Sequence, residues 1–395
     1  MLNKTLKLNK IETTLANRTF AEMYPKERLA ALLRSPFLGD FDVKNYCHVS
    51  AKQYHENEKQ QLTALLTTTY NEKEKVFEVK YKQAKSGYGR VFPQKSLGLT
   101  SMRKNIRNAL IKGVYYDFDL SNAHPTIVLE VCEKHNLPCK YVREYVNNRE
   151  EVLGNIMSHY EVNRNKAKKL MLRLMFTGTV LGWKIEEKVN KKDDLPYLEN
   201  FTKELYAIAQ GIRPENENMY KTCRDSKRKK AKKSAPAANK RQRISEDAFL
   251  KAIDTVNKRK AKKTNEEELN DIFGTDTEDE SQSDNNTKKN IDPFEGEYLG
   301  SLLATYMQTL EEQILAIVME AVEMETSLTI VKGVSHPVST YEFDGIKLLH
   351  ENVEEYGGKE KVIEFLNRVT EERTGFHMSW EEKEIETKYD LTPYM

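Results

Sequence analysis

Residues 224–287 divide this chain in two. The stretch 224–263 is strongly basic and nearly free of aromatic residues, with KRKKAKK, NKRQR and NKRKAKK; 264–287 is strongly acidic, with EEELNDIFGTDTEDE. Such a composition buries too little apolar surface to offset the entropy of ordering it, so 223–293 is expected to be a disordered insert. The insert also explains the polarity of the whole. Hydrophobic residues make up 38 % of the 395 and charged residues 31 %, against roughly 45–50 % apolar in an ordinary domain. The two blocks cancel to a net charge of +2, so partners are argued from where the charge lies. The basic half has the form of a bipartite nuclear-import signal. A flexible arm binding DNA by counterion release would look the same.

Several classes are excluded. No run reaches the roughly 18–20 apolar residues that span a bilayer. The first twenty residues lack a continuous apolar segment, so no cleaved signal peptide is expected. Cys47, Cys132, Cys139 and Cys223 form no C-x-x-C pair and no zinc spacing with histidine. They read as reduced thiols of an intracellular protein.

The remaining chain mixes helices and strands. Phe20, Met23, Leu29, Leu32 and Leu33 have helical spacing, so 1–80 is expected to be mostly helical. Residues 76–83, VFEVKYKQ, alternate with period 2 and read as a strand. So does VYYDFDL at 114–120, followed by a helix over 126–135 that Ser121 or Asn122 can cap. Residues 141–190 and 298–324 are helical by period. Two strand candidates, 327–334 and 339–350, flank a Gly/Pro turn. A helix over 360–375 and a strand over 377–387 close the chain.

Three features carry chemistry. Asp117 and Asp119 sit at a strand end, where carboxylates suit a hard divalent cation. The plain alternative is a solvated pair of surface acids, and the same D-x-D also occurs in sugar-nucleotide transferases. Asp344-Gly345 follows a strand and could add a second carboxylate, although Asp-Gly is a common hairpin turn. Between them, Lys169, Arg173 and Phe176 share a helix face that could hold a triphosphate and stack a base. A solvated basic helix face would show the same spacing.

In that order the three resemble the palm and fingers of family A DNA polymerases, the bacterial polymerase I type, and more distantly the phage-type single-subunit RNA polymerases. The family's motif Asp-Tyr-Ser-Gln-Ile-Glu is matched by Asp119-Leu120-Ser121-Asn122-Ala123-His124. Its fingers motif, Arg-x3-Lys-x2-Asn-Phe-Gly-x2-Tyr-Gly, is matched by Lys169, Arg173, Phe176, Thr177, Gly178, Leu181 and Gly182. The two basic residue types are exchanged and Leu replaces Tyr. Its hairpin His-Asp-Glu becomes Phe343-Asp344-Gly345. Upstream, Gly89-Arg90-Val91 and Ile106-Arg107 resemble further family segments, and Gln308 occupies the place of a primer-contacting Gln. The resemblance covers residues 80–350 without the insert, and no exonuclease-like region is visible.

The resemblance implies an α+β right-hand polymerase with an antiparallel palm sheet, helical fingers and a reduced thumb. Residues 1–80 would be the thumb-like region, 81–222 the palm and fingers, 223–293 the insert, and 294–395 the C-terminal palm. Asp119 and Asp344 would be catalytic and would hold two Mg²⁺ ions. Lys169, Arg173, Phe176, Thr177 and His124 would bind the dNTP. Arg90, Arg107 and Gln308 would contact primed DNA. Asp117 is an extra acid, set on the opposite strand face from Asp119. The expected activity is template-directed DNA synthesis, of the kind found in viral or mobile elements. The basic segment 224–263 would reach an import receptor or replication partner, and a nuclear location would follow. Sugar choice stays open, because His124 and Leu181 stand where the family excludes ribonucleotides. RNA synthesis or priming, and a non-catalytic nucleic-acid-binding protein on the same fold, are the alternatives.

Overall fold

The computed structural model describes residues 14–39, 51–94, 97–191, 193–234 and 295–395. Cys47 and most of the charged insert lie outside them. Contacts divide the chain into one unit of residues 1–219 and 299–395 and another of residues 220–298.

The larger unit carries two antiparallel sheets. The first joins β1 (Thr19–Glu22), β3 (Val76–Gln83) and β2 (Tyr70–Asn71), with β4 (Val91–Pro93) on the far end of β3. The second has the order β6-β7-β5-β8, with β5 at Tyr115–Leu120, β6 at Thr340–Glu342, β7 at Gly345–Leu349 and β8 at Trp380–Lys383. Side chains two apart on a strand share a face. Tyr116, Phe118 and Leu120 point to the side covered by α12 (His350–Tyr356) and α13 (Lys359–Thr374). There the Tyr116 ring lies 3.9 Å from that of His350, and Trp380 Nε1 donates to Thr370 Oγ1 at 2.9 Å. The opposite face of the sheet carries Asp117, Asp119, Lys347 and Lys383.

Somewhat more than half of residues 14–39 and 51–80 is helical, and strands take part of the rest. These residues supply β1, β2 and most of β3 beside α1 (Lys26–Arg34) and α2 (Ala51–Ala64). Leu29, Leu32, Leu62 and Phe77 are buried with Tyr115, Val338 and Leu349 of the second sheet's strands and connections. The Met23 N–H donates to Tyr115 Oη at 2.7 Å. This region is therefore built onto the sheet that carries the acids. Phe20, which fits the helical spacing, is buried as a strand residue instead.

After α3 (Lys104–Ile111) and β5, six helices follow: α4 (Ala123–His135), α5 (Lys140–Asn147), α6 (Arg149–Tyr160), α7 (Arg164–Met175), α8 (Val180–Glu187) and α9 (Pro196–Ile212). Asn122 precedes α4 in the left-handed region, φ 53°, and makes no side-chain cap bond, contrary to expectation. The next helix, α10 (Glu217–Ser234), runs into the segment expected to lack order. Lys, Arg and Ala are good helix formers even where they have nothing to bury. In the smaller unit the Tyr220 and Tyr298 rings meet at 6.5 Å. The 31-residue α11 (Glu295–Glu325) follows. Among the described residues no helix is long and apolar enough to cross a membrane.

Residues 327–334 are turns and not a strand. Asn352 Nδ2 donates to the carbonyls of Leu328, at 2.9 Å, and Ile330, at 3.2 Å. A side chain thus takes acceptors that a sheet ladder would use.

Beneath the acid face lies a buried charged cluster. Lys347, fully buried, is 2.5 Å from Asp117 and 3.2 Å from Glu342, and Arg107 is 2.9 Å from Glu342. Glu22 accepts from the Leu99 N–H at 3.0 Å. Burial, with the field of Glu342 adding to it, pushes the Glu22 carboxyl from 4.5 up to about 8. The folded chain therefore keeps a proton that the unfolded chain gives up above 4.5. Stability must fall as pH rises through that window, by at most about 1.4 kcal/mol per pH unit. Glu22→Gln keeps an acceptor for Leu99 and needs no proton. Urea unfolding at pH 5, 6.5 and 8 should show the decline in the wild type and a flatter profile in the variant. Equal slopes would refute the assignment.

Candidate active site

Strand pairing brings the backbones of the two candidate acids together. Asp119 lies opposite Gly345 of β7 and Glu381 of β8. The Leu120 N–H donates to the Asp344 carbonyl at 2.7 Å. Asp344 is the second residue of the two-residue loop joining β6 to β7. The first, Phe343, sits at φ 45°, where a bulky side chain is strained. Its ring is held by the Arg90 guanidinium, 4.2 Å from the centroid, and by Phe92 at 5.7 Å. The strain is thus retained next to the acid it positions.

Gly345 does not serve the turn through its own φ. A Cβ there would lie 2.6 Å from both Asp119 Oδ1 and the Phe118 carbonyl. Any side chain at this position would displace Asp119. Gly345→Ala should therefore cost about 1–3 kcal/mol through overpacking and would weaken any divalent cation that Asp119 holds. Denaturant melts and a Mn²⁺ titration of the variant would measure the two effects. Wild-type behaviour in both would show that the contact is not tight.

The electrostatics suit a cation. Burial raises the Asp344 carboxyl, with Glu311 adding to the rise and Arg90 and His124 opposing it. Asp119 accepts from the Lys383 ammonium, which stands where a metal ion would balance charge. Asp117 lies two residues before Asp119 and so shares its face. The expectation of opposite faces fails. Its carboxylate is taken by Lys347. Among the described residues no group of three His, Cys, Asp or Glu is placed to hold a metal. The two aspartates alone would need further oxygens from phosphate or water, as Mg²⁺ sites commonly do.

Glu311 of α11 joins the site from outside the sequence reading. It is fully buried and receives Arg90 through Nε at 2.6 Å and Nη2 at 3.0 Å. His124 Nε2 lies 3.0 Å from its Oε1. Burial alone would raise this carboxyl, but His124 and Arg90 hold it below the usual range. The available signal was an acidic pair, Glu311-Glu312, inside the apolar run of a long helix, because buried acids need partners. Glu312 finds its own, accepting from Thr14 Oγ1 at 2.6 Å and the Leu15 N–H at 2.9 Å.

The other predicted residues divide. Phe176 meets His124 edge-on, with centroids 5.2 Å apart. Arg90 is engaged by Glu311 and Phe343. Gln308 lies by Gly89, whose N–H donates to Thr309 Oγ1 at 2.8 Å. Arg107 belongs to the buried cluster with Glu342, the residue that leads into the loop of Asp344. Thr177, at φ 58°, presses on Gly300 of α11, where no Cβ would fit. Lys169 lies 2.7 Å from Glu187, and Arg173 lies 2.6 Å from Glu186, both on α8. Gly178 and Gly182 make room for the Arg173 side chain. The spacing of basic residues and glycines therefore staples α7 to α8.

No family model matches the chain. It is 33 % identical over 150 residues to the putative helicase V13 of Sputnik virophage, which is 37 % of this chain and 19 % of that protein. The chain thus aligns with about a fifth of the length of that relative. A structural comparison aligns 84 % of the chain with 52 % of the POL domain of Pol1 from M. smegmatis, solved with DNA primer-template and dNTP, at 11 % identity and a TM-score of 0.40.

Proposed function

We propose that the chain is a template-directed DNA polymerase that extends a primer 3′ end with deoxynucleoside triphosphates. The observation that carries this reading is the junction of β5 with the β6–β7 loop, which sets Asp119 and Asp344 side by side at one end of an antiparallel sheet. Two Mg²⁺ ions held there would activate the primer hydroxyl and neutralise the departing pyrophosphate. The chain's own residues supply position. The β5–β7 register fixes the spacing of the acids, and Lys383 balances Asp119 until the site is loaded. His124 and Phe176 form an aromatic wall on the side of α4 and α7. Arg90, locked to Glu311, holds the Asp344 loop through Phe343.

Primer extension tests the reading. Primed DNA and Mg²⁺ are supplied with deoxy- and ribonucleotides separately. Deoxynucleotide incorporation that stops on chelation is the expected result. Preferential ribonucleotide incorporation would turn the reading to RNA synthesis. Bound primed DNA with no incorporation under any nucleotide or metal would overturn it in favour of a binding protein.

A further inference from the structure

We propose that Glu381, on the edge strand β8, holds a divalent cation together with Asp119, and that the Lys383 ammonium fills the place of that cation until it binds. What the cation does there rests on the polymerase reading; that these side chains hold it is tested apart from that reading. Residues paired across antiparallel strands point to the same face, so strand register sets two rows of side chains on the acid face of the second sheet. One row is Lys347, Asp117 and Lys383, from β7, β5 and β8. The next row is Gly345, Asp119 and Glu381. In its own row Asp119 therefore meets no carboxylate from β7 and one from β8. The burial of β8 agrees: Trp380 is buried, whereas Glu381 and Lys383 are exposed.

The strand that carries Glu381 is fixed from its other face. The Trp380 N–H donates to Asn367 Oδ1 at 2.8 Å, and its indole to Thr370. Glu382, turned to the same side, lies 3.1 Å from Lys359. Just before the strand, the Ser379 carbonyl accepts from the Ser121 N–H at 2.8 Å. Glu381 is thus placed by the sheet beside Asp119. Like charges directly across a strand pair repel, and a cation between them removes the cost. Lys383 supplies one. Its own register partner is Asp117, but that carboxylate lies 2.5 Å from Lys347. The Lys383 ammonium reaches Asp119 instead and lies 3.9 Å from Glu381 Oε1. Two acids of one row therefore share a single positive charge. The Lys383 side chain is 44 % exposed, so it can swing away without disturbing the sheet. A divalent cation brings two charges to the same place and prefers carboxylate oxygens, with water and phosphate completing its shell.

The probe is Mn²⁺, titrated calorimetrically into the full chain without nucleic acid. Glu381→Gln should weaken its binding on the order of tenfold, the loss of one charged ligand. Lys383→Met should tighten it about two- to fivefold, the worth of the partly exposed ion pair that the cation no longer has to break. Glu382→Gln, on the other face of the same strand, should leave the affinity of the wild type. In primer extension, Glu381→Gln should raise the Mg²⁺ concentration for half-maximal rate by the same factor as it weakens Mn²⁺. Unchanged Mn²⁺ affinity in Glu381→Gln would overturn the role of Glu381, and so would an equal loss in Glu382→Gln. Weaker binding in Lys383→Met would overturn the displacement. If the wild type incorporates no nucleotide but Glu381→Gln still loses Mn²⁺, the cation site stands and the polymerase reading falls. Thermal melts of each variant without metal separate these outcomes from misfolding.

Discussion

Asp344→Asn protein should melt like the wild type or slightly higher, bind primed DNA with unchanged affinity, and incorporate nucleotide on the order of 10³-fold more slowly. The stability half of this follows from burial. Asp344 is held above the usual carboxylate range by desolvation and by Glu311, so a neutral amide of the same shape removes a cost and adds none. The activity half follows from the proposed chemistry, because an amide is a poor ligand for a hard cation. The Asp119→Asn protein should lose activity to the same degree. It differs in one respect: it releases Lys383 from its partner, so a small loss of stability is expected, as for other partly exposed pairs. Single-nucleotide incorporation, measured beside urea melts, checks both. Activity retained within tenfold in either variant would remove that aspartate from the catalytic set.

The second large effect falls on stability. Glu311→Ala leaves Arg90 and His124 facing an apolar void at the centre of the site. Breaking a buried ion pair by removing one partner costs about 3–5 kcal/mol. Arg90 also holds Phe343 in its strained conformation, so the Asp344 loop should loosen and activity should fall with stability. The pH dependence gives an independent check. Glu311 has a folded pKa below 4.5 because the His124 and Arg90 charges outweigh its burial. Its contribution is present above the unfolded pKa and is lost as pH falls through the folded one. The gap in unfolding free energy between wild type and variant should therefore be wide at pH 7 and narrow in acid. Equal gaps at both pH values would mean that packing, not charge, accounts for the loss.

The strands at 76–83 and 115–120, the helices over 141–190, and the hairpin with Asp344 were legible because period and turn residues are local signals. Phe20 was misread because it belongs to a four-residue strand whose apolar neighbours mimic a helical stripe. Residues 327–334 were misread because their carbonyls are satisfied by Asn352, far along the chain. The helix continuing to Ser234 was missed because low apolar content was equated with absence of structure. In the site, spacing identified α7 as the basic helix but not that Lys169 and Arg173 turn to α8. Lys169 and Arg173 were chosen by resemblance, yet Glu186 and Glu187 claim them.

The sequence by itself determined most of the elements and which of them carry acidic or basic side chains, because these depend on side-chain type and short-range period. Only the tertiary structure decided that Asp119 and Asp344, far apart in the chain, share one sheet junction. It also decided that Gly345 is required by Asp119 rather than by its turn, and that Glu311 locks Arg90 to His124. Each of these is a long-range contact whose energy comes from burial and charge at one point in space. No periodicity along a chain records which distant charges will be buried together.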